Sequence, residues 1–212
     1  MDCQPNFQHV FALDFHAPNP PSLSSGALQA GNMSATTDAP SAIPAPPVRW
    51  MVLVAVFVYA FDQLTKFLVL KSLGQGQEKV IVDGFFRFVH WGNTGASWSL
   101  FRDNNTALAI VAGVALVVLI FARKHFSTHT LTGQLAFGMI LGGIAGNFTD
   151  RVIPSRQHVI DFLRFYVDTA NGEVGFPAFN VADSGICVGV ALLFWVTWQT
   201  ERAAKNSCKV QC

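Results

Sequence analysis

The fold class this sequence predicts is an α-helical integral membrane protein, with four transmembrane helices and a small β-sheet at the membrane surface. Three observations predict it. Of the 212 residues 13% are charged and 51% hydrophobic, whereas soluble domains carry about a quarter charged residues. Apolar runs recur at the length that a ~30 Å hydrocarbon core demands. Between them lie two segments rich in β-branched and aromatic residues, the composition of strands.

Taken in order, residues 1–47 read as a disordered extension. They are rich in Pro, Ala and Ser, and Pro40, Pro44, Pro46 and Pro47 forbid a continuous helix. A membrane domain is expected over 48–203, followed by a basic tail at 204–212. The first span runs from about Trp50 to Leu70. Stopping it before Asp62 would leave too few apolar residues to cross, so Asp62 and Lys66 lie within it or at its end. Residues 78–101 follow as strand, with Asp83-Gly84 as a turn. The second span, about Thr106 to Ala122, holds no charge. The third, about Leu131 to Asn147, carries Gly133, Gly138, Gly142, Gly143 and Gly146, and small residues allow close helix approach. Val159 to Val167 is a second strand. The fourth span runs from about Ala178 to Thr200.

Charge and cysteine usage exclude several functions. A net charge of +1 without a long basic patch argues against nucleic-acid binding. Cys3, Cys187, Cys208 and Cys212 form no Cys-x-x-Cys pair, and the histidines are dispersed, so no metal or cofactor is expected. Basic residues divide nearly evenly between the two sides of a four-span topology. The short loop with Arg123-Lys124 and the basic tail mildly favour termini inside.

The polar residues within the spans carry the chemistry. Asp183 stands at the mouth of the fourth span, where an unpaired carboxylate costs several kcal/mol. Asp near a helix start is often only a cap. Asp161 in the preceding strand changes that reading: two acids at one membrane boundary form a dyad that shares a proton and activates water. An intramembrane aspartic protease is therefore the leading expectation. Asn180 shares a helix face with Asp183. Asp62 and Lys66, four apart, form a self-neutralising pair or contact a substrate head group. Asn147 caps and Arg151 anchors the third span, or Arg151 grips a carbonyl; Asp150 is expected to support Arg151. Asn93-Thr94-Gly95-Ala96-Ser97 is a turn, or a set of amides lining a cleft. Ser97, Ser99 and Ser184 have no partner spacing that recommends a nucleophile.

Five segments together resemble the lipoprotein signal peptidase (signal peptidase II) family. They are Asp62-Gln63-Leu64-Thr65-Lys66, Asn93 to Ser99, Gly142 to Arg151, Val159-Ile160-Asp161-Phe162 and Phe179 to Ser184. The resemblance covers about residues 49 to 200. It implies a bacterial inner-membrane aspartic endopeptidase without a cofactor, which cuts signal peptides from prolipoproteins before a diacylglyceryl-modified cysteine. It places the catalytic pair on Asp161 and Asp183, and substrate-binding or supporting roles on Asp62, Lys66, Asn93, Gly95, Asn147, Arg151 and Asn180. It also implies four transmembrane helices, an extracytoplasmic β-cradle, cytoplasmic termini, an active site near the outer face and inhibition by the cyclic peptide globomycin. A monomer among membrane lipids is expected. Trp98 departs from the phenylalanine usual in its motif. Two other readings stand beside this one. A small ion- or proton-coupled transporter would spread its acids through the membrane depth. A non-catalytic lipoprotein-binding protein would share the fold and lack activity.

Overall fold

Helix α1 (Arg49–Ser72) contains both Asp62 and Lys66, as the length argument requires. Its buried stripe is Met51, Val58, Asp62, Lys66 and Val69, at spacings of three, four and seven residues. Its other faces expose Val52, Leu53, Val56, Phe57, Leu64 and Phe67, a surface suited to lipid. The computed structural model describes residues 48–95, 104–126 and 128–210, the side chains of 204 and 207–210 excepted. The expected extension at 1–47, the Ala96–Ser99 part of the Asn93 motif and residues 211–212 lie outside the described residues.

Helix α2 (Asn105–Ala122) is capped by Asn104, whose side chain accepts from the Ala107 amide at 3.2 Å. It passes into a 3-10 turn, Arg123–His125. None of its residues is buried, and Gly113 faces the Phe148 ring of the next helix. Helix α3 (Leu131–Val152) is the centre of the bundle, with half of its most apolar stretch buried. Its glycines explain that position. A Cβ at Gly138 or Gly142 would stand 2.5 Å from the Met51 or Ala55 carbonyl oxygen of α1. At Gly143 it would stand 2.5 Å from the Ala182 oxygen at the start of α4 (Val181–Val210). Only hydrogen at these positions lets three backbones meet.

Between the helices lies an antiparallel sheet of β1 (Glu78–Val82), β2 (Phe86–Asn93), β3 (Val159–Thr169) and β4 (Gly172–Gly175), in the order β1-β2-β3-β4. The strand-like run from residue 78 is a hairpin, and Gly84 in its turn takes the left-handed φ of 68° that glycine tolerates. A register shift in β2 between Phe88 and Trp91 brings Trp91 opposite Asp161 and Asn93 opposite Val159. Beyond β4 the chain returns to β3: Leu163 and Phe179 exchange backbone hydrogen bonds at 2.8 and 3.1 Å. That bridge sets the next residue, Asn180, beside Asp161. Val69, Ile160 and Phe162 form a buried cluster with Leu73, Phe88, Leu163 and Val181 around it, so the sheet is cemented to the ends of α1 and α4.

The four helices have the length and composition to cross a membrane. Two boundaries differ from the sequence expectation. The third span continues past Asn147 to Val152, because the charge of Asp150 is matched inside the fold. Helix α4 runs on to Val210, past the expected end of the fourth span at Thr200. Strand β4 was not foreseen: four residues, two of them glycine, carry no strand periodicity.

Candidate active site

Asn180 organises the polar cluster. It is the residue before α4, and its side-chain oxygen accepts from the Asp183 amide at 2.9 Å, while the Asp183 carboxylate accepts from the Asn180 amide at 3.3 Å. This reciprocal pair is a capping box. Asp183 therefore is part of the helix cap and faces the cluster as well. The Asn180 side-chain amide donates to Asp161 Oδ1 at 2.8 Å and to Asn147 Oδ1 at 3.2 Å. One fully buried residue thus contacts both aspartates.

Each carboxylate has a second donor. Asn93 Nδ2 donates to Asp161 Oδ2 at 2.9 Å, and Asn147 Nδ2 donates to Asp183 Oδ1 at 2.7 Å. Asn93 is held in turn by the Gly95 amide, which donates to its Oδ1 at 2.9 Å. Arg151 donates to the Gly95 carbonyl at 2.7 Å, and its guanidinium and backbone oxygen are both bonded to the Asn105 side chain, at 3.1 and 2.9 Å. Arg151 thus ties the end of α3 to the backbone at Gly95.

On the other side Lys66 lies fully buried between Asp62 at 2.8 Å and Asp150 at 2.7 Å, and donates to Asn147 Oδ1 at 3.0 Å. With Lys66 at its oxygen and Asp183 at its nitrogen, the Asn147 amide has one orientation. Asp62 also accepts from the Ala182 amide in the first turn of α4 at 2.9 Å, which ties the Asp62–Lys66 pair to that helix. Held between two carboxylates and the Asn147 oxygen, this ammonium is poorly placed to serve as base for a serine; the Ser184 hydroxyl donates to the Asn180 carbonyl.

Asp161 lies on β3, nearly buried, and its pKa is raised to about 7. Burial is the larger cause and the neighbouring Asp183 charge the next; the Asn93 and Asn180 amides oppose both. Two acids set within one hydrogen-bonded frame, one of them held near neutrality, can share a proton. Among the described residues no three His, Cys, Asp or Glu side chains gather as metal ligands.

All the residues expected from sequence stand in this one network. Asp150 is bonded mainly to other groups than Arg151. Its direct partners are Lys66 at 2.7 Å, Arg156 at 2.5 Å and the Gln63 side-chain amide at 3.4 Å, and its charge reaches the Arg151 guanidinium only through space. Arg156, Gln63 and Asn105 were missed. Their partners lie 6, 83 and 46 residues away in the chain, and no periodicity reports contacts of this kind. Ser97 and Ser99 lie outside the described residues.

Comparison with known proteins agrees with this geometry. The family model described as "Signal peptidase (SPase) II" matches residues 54–199. The lipoprotein signal peptidase of Bacillus pumilus (strain SAFR-032) is 36% identical over 143 residues, 67% of this chain and 88% of that protein. A bacterial membrane enzyme solved by the in meso method at 2.3 Å resolution is 28% identical with a TM-score of 0.64, covering 74% of this chain and 92% of that one. Another, at 1.9 Å resolution, is 28% identical with a TM-score of 0.61, covering 73% and 96%. A chain with four spanning helices, a four-stranded surface sheet and this match over most of its membrane domain belongs to the signal peptidase II family, the multi-pass bacterial membrane proteases that remove signal peptides from prolipoproteins.

Proposed function

We propose that Asp161 and Asp183 are the catalytic pair of an aspartic endopeptidase that cuts before a diacylglyceryl-modified cysteine. The observation that carries this is the single buried Asn180 that contacts both carboxyl groups, with Asp161 held near pH 7. Asp161, protonated, donates a hydrogen bond to the scissile carbonyl. Asp183 takes a proton from the water that attacks it, and the pair then returns a proton to the leaving amine. Arg151 and Asn93 hold the loop at Gly95 against the site. Substrate acyl chains stay among the apolar helix faces, each buried CH₂ contributing roughly 0.8 kcal/mol.

The deciding experiment is cleavage of a prolipoprotein peptide by the purified chain, with its cysteine diacylglyceryl-modified or bare, and with or without globomycin. Cleavage of the lipidated peptide, far slower cleavage of the bare one and block by globomycin are expected. No cleavage by a folded protein would favour a non-catalytic lipoprotein-binding role. Equal rates on both peptides would remove lipid recognition from the specificity.

The topology supports termini in the cytoplasm and a site near the outer face of the inner membrane. Arg123 and Lys124 lie at the end of α2, one helix length from Asn147 to Arg151 at the end of α3. We take the unit to be a monomer, with residues 1–47 an extension outside the protease domain 48–203 and 204–212 cytoplasmic. None of the polar site residues lies before Asp62, so a chain begun at Pro47 is expected to insert and cleave. Loss of cleavage in such an inserted protein would give the extension a role.

The pH dependence tests the acid assignment. The working pair holds one proton, so the rate falls as the pH rises through about 7, where Asp161 loses it. The Asn93 amide favours the ionised carboxylate. Asn93→Ala therefore moves this alkaline limb to higher pH, by about 1 unit for a hydrogen bond of roughly 1.5 kcal/mol. A limb in the kcat/KM profile that stays in place or moves down would take the acid role from Asp161.

A further inference from the structure

We propose that Arg156 is a positioning residue for the aspartate pair: it balances the buried Asp62–Lys66–Asp150 cluster, and so leaves the Lys66 ammonium on Asn147. The inference rests on the dyad reading above.

The charges in the cluster make the case. Asp62 and Asp150 bring two negative charges and Lys66 one positive, all with fully buried side chains. An uncompensated charge in such a place is strongly unfavourable. Arg156 supplies the second positive charge in direct contact, 2.5 Å from Asp150 Oδ1, with its own side chain 18% exposed, while Arg151 acts on Asp150 only through space. The two Asp150 oxygens are divided, Oδ2 toward Lys66 and Oδ1 toward Arg156. Arg156 also donates to Gln63 Oε1 at 3.1 Å. That turns the Gln63 nitrogen toward Asp62 Oδ2 and the Gly146 carbonyl, both at 3.2 Å.

The backbone returns Arg156 to the cluster. After α3 the amides of Arg156 and Gln157 both donate to the Ile153 carbonyl, at 3.0 and 3.1 Å. Gln157 takes a left-handed φ of 53°, uncommon for a side-chain-bearing residue. This tight reversal leads directly into β3 and Asp161. Without Arg156, Asp62 and Asp150 compete for one ammonium, which is drawn off Asn147. The Asn147 oxygen then keeps only the neutral Asn180 amide as donor, and the Asn147 nitrogen is held less firmly on Asp183.

The test is a cycle of Arg156→Gln, Asp150→Asn and the double variant, with Arg156→Lys, in the full chain in detergent. Cleavage of the lipidated peptide and thermal melting are read together. Arg156→Gln is expected to lower kcat about tenfold with KM little changed, the size of one buried polar interaction. Arg156→Lys, which keeps the charge, stays near wild type. Each single variant leaves the cluster unbalanced and the double variant restores balance, so the double variant is more active than the product of the singles. Wild-type turnover in Arg156→Gln, or a double variant at or below that product, overturns the proposal. If Arg156→Gln fails to fold, recovery of folding in the double variant supports charge balance and its failure overturns it. Asp161→Asn in the same assay separates the two readings. Activity there removes the dyad itself, whereas an inactive Asp161→Asn beside a fully active Arg156→Gln removes only the role of Arg156.

Discussion

Asp161→Asn and Asp183→Asn are each expected to lower cleavage of a lipidated prolipoprotein peptide by about 10³-fold or more, the scale on which a positioned acid or base acts. An amide neither takes a proton from water nor gives one to the leaving amine. Folding is expected to survive in Asp161→Asn for a reason visible in the structure. The raised pKa of Asp161 means that its ionisation opposes folding. This stability is fully present below the unfolded value of 3.8 and is lost as the pH rises to about 7. Replacement by a neutral amide removes that loss, so at pH 8 the variant retains its melting transition while cleavage disappears. Turnover near wild type in either folded variant would end the aspartic reading of this site.

Lys66→Met is expected to be strongly destabilising. Its ammonium is the cation between Asp62 and Asp150, with all three side chains fully buried. Removing one partner of such a cluster leaves an unmatched charge and costs about 3–5 kcal/mol. The same change takes the charged one of the two donors from Asn147 Oδ1, leaving the Asn180 amide, so whatever protein still folds should cleave slowly. Melting in detergent and cleavage by the folded fraction measure the two effects. Unchanged melting would mean that the buried carboxylates have another source of compensation and that Lys66 does not hold α1 to α3.

Much of this was legible in one sequence. The four spans follow from apolar length, which the thickness of hydrocarbon sets without reference to neighbours. The Asp83-Gly84 turn and the flanking strands follow from local turn chemistry. Asp161 and Asp183 stood out because charge at a membrane boundary is costly. The Asp62–Lys66 pair was visible because four-residue spacing is local geometry.

What sequence left open was which readings of the polar residues hold together, since those depend on contacts across the chain. Asn180 is expected to share a helix face with Asp183, and it also reaches Asp161, because the Leu163–Phe179 bridge sets it beside β3. Asp150 sits next to Arg151 in the chain, yet the helix turns it toward α1 and Lys66. Arg156 reads as one more basic loop residue until the reversal at Gln157 folds it onto Asp150. The sequence by itself determined the spans, the surface sheet and the two acids, because hydrocarbon thickness, strand pattern and the cost of charge act locally. Only the tertiary structure decided how each buried charge is matched, because the matching partners lie on different elements that meet only when the bundle closes.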